Sequence, residues 1–241
     1  NQKSNNFLNN KTTDSPLSDE IIESIKERVL KREQLSSNNA LYNFAPAAEL
    51  TESKINPVIV LIKFKGQTDE EAYSDYMIQK IKNCFAGESS SLKDYLKNVS
   101  RGRCTVNPYF AFNKGDNNIY VYEAPYTKEH YDPDYNSNSF RDGQELLKDA
   151  FAAIKDQIPS DVNLDADSNG DIDAVDFFVP AQTAWATFLW PHMSSIYDGT
   201  GKTEVNGAKL SKYNLITTDY FSGSGYQVIT HEFMHTLGYP D

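Results

Sequence analysis

Long apolar runs are missing from this chain, and so are most of the residues that would tie it to a membrane, to nucleic acid or to redox chemistry. No stretch approaches the roughly 20 consecutive apolar residues that a membrane-spanning helix needs, and the first residues lack the basic and apolar regions of a secretory leader. Cations are outnumbered: 23 Lys and Arg face 34 Asp and Glu, a formal net charge of −11. Such a balance repels phosphate backbones and anionic lipid, so nucleic acid is not an expected partner. Only two cysteines occur, Cys84 and Cys104. They could close one disulfide in an oxidising compartment or stay as thiols, and they say little about location. Histidine is scarce too, with 4 in the chain, two of them in one short motif. That leaves no Ser/His/Asp set to assemble, and no phosphate-binding glycine loop is in context, which argues against a serine hydrolase.

What is present fits one sizeable domain preceded by an extension. Residues 1–17, rich in Asn, Lys, Ser and Thr without apolar periodicity, read as a disordered tether or processed edge. Residues 18–55 read as an amphipathic helix, opened by Ser18 and acidic first-turn residues, and a linker. Residues 56–241 read as the domain proper. Its first strand is expected in "NPVIVLIKF" (56–64), then a helix across "DEEAYSDYMIQKIKNCF" (69–85). A short helix turning through Gly102 into a second strand follows in "SLKDYLKNVSRGRCTVNPYFAF". Further strands are expected in "NIYVYE" and "AVDFFVP", with a helix through "GQELLKDAFAAIKDQI" between them. Alternating strands and helices give the fold class α/β (α+β).

"DADSNGDIDAVD", Asp165 to Asp176, matches a twelve-residue calcium loop. Oxygen-bearing side chains occupy loop positions 1, 3, 5, 9 and 12 (Asp165, Asp167, Asn169, Asp173, Asp176), Gly170 sits at the sharp turn, and Asp171 offers a backbone carbonyl. Position 12 is Asp rather than Glu, and a strand pattern follows where an EF-hand continues as helix, so the loop is expected to be single and its Ca2+ structural. The competing explanation is a polar hairpin whose Asn-Gly makes the turn and whose aspartates bond their own backbone.

In "GYQVITHEFMHTLGYPD" the apolar positions recur at helical spacing and Gly238 is a stop signal. His231 and His235 then lie one turn apart on one helix face, where two imidazoles can meet one metal ion. Glu232, turned about 100° away, can serve as general base to a water on that metal. Asp241 after the reversal at Gly238 would be the third ligand, leaving the open position of a catalytic Zn2+. The alternative is an amphipathic core helix that happens to carry two histidines.

"HEFMHTLGYPD" resembles the HExxHxxGxxD zinc motif of the immune inhibitor A family of secreted bacterial metallopeptidases, a metzincin-like group. "SLKDYLKNVSRGRCTV", "DADSNGDIDAVDFFVPA" and "LWPHMSS" resemble further blocks of that family, so the likeness spans residues 57–241. The resemblance implies a twisted mixed sheet with flanking helices, His231, His235 and Asp241 as zinc ligands, Glu232 as catalytic base, and His192 near the cleft. It also implies a secreted or cell-surface zinc endopeptidase acting on proteins or peptides. Metzincin-like enzymes continue into a lower subdomain with a methionine turn under the metal. That subdomain is missing from these residues, so the chain is expected to be a truncated part of a longer enzyme, its own activity in doubt. The second function class is a calcium-stabilised surface-binding module that keeps the metallopeptidase scaffold without turnover.

Overall fold

The computed structural model describes residues 53–112, 120–132, 134–182, 187–196, 201–222 and 225–240. The tether expected at 1–17, nearly all of the expected helix and linker at 18–55, and Asp241 lie outside these residues. Among the described residues no helix is long and apolar enough to cross a membrane.

The strand expected in "NPVIVLIKF" forms as Val58–Lys63, called β2 because Ser53–Ile55 makes a short strand β1 before it. Ser53–Ile55 thus belongs to the domain rather than to a linker. Residues 58–62 are each at most 1% exposed, which a β-branched run achieves only with strands on both edges and helices on both faces. Cys104–Val106 (β3) pairs with β1, whereas Tyr109–Phe110 (β4) and Tyr122–Glu123 (β5) pair with β2, all in parallel. The single second strand expected near 104–112 is therefore split, at Asn107-Pro108, where proline has no N–H for a ladder.

On the other edge of β2 lies Val175–Val179 (β6) in parallel register, Val60 opposite Phe177. His192–Ser195 (β7) and the Glu204–Val205 and Ala208–Lys209 hairpin (β8, β9) follow in the chain, then Lys212–Thr217 (β10). β10 pairs parallel with β6 and antiparallel with β7, giving the order β4-β2-β6-β10-β7. The molecule is a mixed α/β fold on a mixed sheet.

The helix expected across 69–85 is two, Asp69–Ala72 (α1) and Asp75–Ala86 (α2). Tyr73 breaks it: its backbone is extended, and its buried hydroxyl shares its one proton between the carbonyls of Phe178 (2.7 Å) and Ile62 (2.9 Å), while Ser74 caps the restart. Leu92–Val99 (α3) is capped by Ser91, and Ser139–Ile154 (α4) starts four residues before "GQELL". Gly143 inside α4 is required by contact, since a Cβ there would lie 2.5 Å from the Phe188 ring. The last helix, Gly225–Thr236 (α5), carries the HExxH residues.

Strand alternation sorts the core into two layers. Val58, Val60, Phe177 and Leu215 pack with Leu147, Ala150 and Phe151 of α4. Ile59, Leu61, Phe178 and Ile216 pack with Ile81 and Phe85 of α2, Leu96 of α3, and Ile229 and Phe233 of α5. The sheet is thus covered on both faces, and α5 packs against β10 and β7. Cys84 and Cys104 are both free thiols; burial pushes Cys84 up to about 11.

Candidate metal centre

The end of α5 builds the site. Gly238, at φ +90°, reverses the chain: the Tyr239 N–H donates to the Met234 carbonyl (3.1 Å) and the Gly238 N–H to that of His235 (2.8 Å). This is the paired-bond helix stop that a left-handed glycine makes possible. The reversal brings the Tyr239 carbonyl 2.7 Å from His235 Nδ1. A carbonyl only accepts, so Nδ1 carries the proton, and in the neutral ring Nε2 keeps its lone pair.

That Nε2 lies 3.2 Å from Nε2 of His231, one turn earlier, with the two rings 84° apart. Two nitrogens bound to one tetrahedral zinc at about 2.0–2.1 Å stand about 3.3 Å apart, so this pair fits a shared Zn2+. Without an ion, the same contact requires His231 to donate to His235. Asp241, the expected third ligand, lies outside the described residues.

Glu232 is 6% exposed on the buried side of α5, yet it lines the same cleft as the histidines. The cleft holds about 860 Å³, and Phe140, Trp190, Met193, Tyr220 and Val228 give it a largely apolar wall. His192 also lines it, on β7. Its Nδ1 donates to the Trp190 carbonyl at 2.7 Å, its Nε2 meets the Tyr213 hydroxyl at 3.2 Å, and its ring stacks on Trp190. Burial holds His192 below the ordinary histidine pKa, partly offset by the Trp190 bond. Both nitrogens are occupied, so His192 braces β7 and Trp190 rather than offering a ligand atom.

The acidic loop lies close by. Carboxylate oxygens of Asp165, Asp167 and Asp173 fall within 4.8 Å of one another. The loop holds its shape with its own backbone: Asp165 accepts from the Asn169 N–H (2.9 Å) and Gly170 N–H (2.7 Å), and Asp173 from the Ala166 N–H (3.0 Å). Burial pushes Asp173 up to about 6, and the charges of Asp167 and Asp165 push the same way. Asn169 spends its side chain locally, accepting from the Asp171 N–H and donating to Asp167. Asp171 turns its carboxylate toward Lys209, 3.7 Å away.

Asp176, expected as the twelfth loop ligand, is not part of this cluster. It sits in β6, wholly buried, and accepts from the Asn214 side chain at 2.9 Å. The loop ends at Asp173, because the strand starts at Val175 and alternation turns Asp176 toward α5. A cavity of about 270 Å³ lies between the loop and the end of α5, lined by Asp167, Asp171 and Asp173 on one side and Thr236, Leu237 and Gly238 on the other.

Several site residues carry no motif of their own. Phe140, Gln144, Tyr213 and Tyr220 reach the cleft from elements far apart in the chain. His130 is tied to Asp142 (2.9 Å), which also accepts from Asn136 (2.9 Å), and it stacks on Tyr126, fastening the Tyr-rich segment to α4. Compared with known proteins, the chain matches no family model and no curated sequence.

Proposed function

We propose that this protein is a zinc-dependent endopeptidase of metzincin-like design that hydrolyses peptide bonds in extracellular proteins or peptides, with His231, His235 and Asp241 holding Zn2+. The observation that carries this is the 3.2 Å Nε2 to Nε2 approach, with His235 fixed in the ligating tautomer by Tyr239 and Glu232 in the same cleft. Bound there, zinc would polarise the scissile carbonyl and acidify a water. Glu232 would take a proton from the water as its oxygen bonds to the carbonyl carbon, and pass that proton to the leaving nitrogen as the C–N bond breaks, so that no amide anion is released. The apolar wall of Phe140, Trp190 and Met193 gives a substrate side chain a place to leave water. Ca2+ on Asp165, Asp167 and Asp173 completes the proposal as a structural ion, supported by three carboxylates that repel one another without a cation.

The test is elemental analysis of zinc beside hydrolysis of an unfolded protein substrate, in the wild type, Glu232→Gln and His235→Ala. One zinc per chain is expected in the first two and none in the third, with hydrolysis in the wild type alone. Full activity in Glu232→Gln would overturn the mechanism, and undiminished zinc in His235→Ala would overturn the site.

A further inference from the structure

The packing between α5 and the sheet is largely apolar, and a hydrogen-bonded polar group is set into it. Strand alternation puts Asp176 of β6 and Asn214 of β10 on the α5 face, directly opposite each other in the ladder. Both are wholly buried. Asn214 donates to Asp176 Oδ1 at 2.9 Å, and the Thr236 hydroxyl of α5 donates to Asn214 Oδ1 at 2.9 Å. Among the described residues, the second carboxyl oxygen of Asp176, Oδ2, has no hydrogen-bond partner. Glu232 lies one turn before Thr236, on the same buried side of the helix, near enough for its charge to act on Asp176.

Stability does not account for this group. Burying an unpaired carboxyl oxygen is unfavourable, and apolar residues of similar volume are often as stable or more so. What hydrogen bonds supply and apolar contacts do not is direction. Ile229 and Phe233 would tolerate a small rotation of α5 about its axis, whereas the Thr236 to Asn214 bond would break. Rotation matters here because successive side chains leave a helix about 100° apart, so Glu232 and the two histidines share the cleft only at one setting.

We propose that Asp176, acting through Asn214 and Thr236, is a positioning residue that fixes the rotation of α5 and thereby the aim of Glu232 and both histidines into the cleft. The proposal rests on the peptidase assignment above. Burial pushes Asp176 up to about 7, with the Glu232 charge adding to it and the Asn214 bond opposing it. Below about pH 7 the carboxyl is therefore mostly neutral and needs no cation partner.

Three full-chain variants test it: Asp176→Leu, which removes the polar anchor at similar volume; Asp176→Asn, which keeps an acceptor for Asn214; and Thr236→Val, which removes only the helix bond. Zinc affinity by chelator competition, melting temperature, and kcat and KM for an unfolded protein substrate are the readouts. Asp176→Leu is expected to melt no lower than the wild type, bind zinc about tenfold more weakly, and lose at least about tenfold in kcat with KM little changed. Thr236→Val should follow by a smaller factor, and Asp176→Asn should recover most of the loss. Wild-type zinc affinity and kcat in both Asp176→Leu and Thr236→Val would overturn the proposal while leaving the peptidase assignment intact. Should Asp176→Leu not fold, Thr236→Val decides alone. Zinc binding without hydrolysis in the wild type would overturn the peptidase assignment, and zinc affinity then decides the positioning role. A wild type that binds no zinc overturns both.

Discussion

One small cavity separates the acidic loop from the end of the helix that carries the histidines, and the two candidate cation sites are built in opposite ways. In the acidic loop, several carboxylate oxygens are already satisfied by the loop's own N–H groups, so the same bonds that shape the turn compete with a cation for its ligands. On α5 the two Nε2 atoms face each other, positioned by helix spacing and by one carbonyl behind His235. A helix presents ligand atoms that folding has already aligned, whereas a loop presents ligand atoms that folding has already used. The first kind of site is expected to bind tightly with little rearrangement, and the second to bind weakly and to report mainly on stability.

The largest expected effect separates the sites outright. His231→Ala should weaken zinc binding at least about a hundredfold in a chelator competition while leaving any calcium response unchanged; equal zinc affinity would move the metal elsewhere. Next is a matched pair of glycines. Gly238 and Gly170 have φ +90° and +87° with open space where a Cβ would go, so a valine at either meets the same left-handed penalty of about 1–2 kcal/mol. Only Gly238→Val should also weaken zinc, by about tenfold, because only there does the turn aim a carbonyl at a ligand. If both variants bind zinc equally, Tyr239 does not matter to the site.

Smaller effects belong to the loop. Chelation should lower the melting temperature of the wild type by a few degrees and that of an Asp165→Ala, Asp167→Ala variant not at all; the same fall in both would remove calcium from the loop. The weakest signal is pH. Asp173, raised to about 6 in the fold from about 3.9 unfolded, stabilises the protein fully at low pH and loses that contribution as pH climbs through 6. Calcium should reduce this decline, and Asp173→Asn should leave only the part that the raised Asp176 contributes. His192 acts in the other direction: depressed in the fold, it withdraws stability as pH falls below about 6.5. Calcium-free melting temperatures that change with pH from 4 to 7 identically in the wild type and Asp173→Asn would refute the Asp173 assignment.

What could be read from the residues alone followed from short-range periodicity. β2 is legible because an unbroken β-branched run has only one comfortable place in a mixed α/β fold, and α5 because its apolar positions and Gly238 mark face and end. The break at Tyr73 was hidden, since its cause is a hydroxyl bonded to two strands rather than a local signal. Asp176 fitted two patterns at once, the twelfth position of a loop and the inward face of a strand. The alternation of Ala174, Asp176 and Phe178 was the available hint. Its bond to Asn214, 38 residues away, could not be seen without the sheet. Most of the cleft wall was equally illegible, because Phe140, Tyr213 and Val228 share nothing in sequence except that three elements happen to meet there.

The central strand also sets a schedule for synthesis. β2 is finished at Lys63, but its long neighbour β6 is not complete until Val179. At translation rates of about 5–20 residues per second, that interval is on the order of ten seconds. Throughout it the nascent chain carries "VIVLI", an uncharged β-prone segment with only the two-residue pairings to β4 and β5 on offer. The segment that organises the finished sheet is thus the one most in need of shielding while the chain is being made.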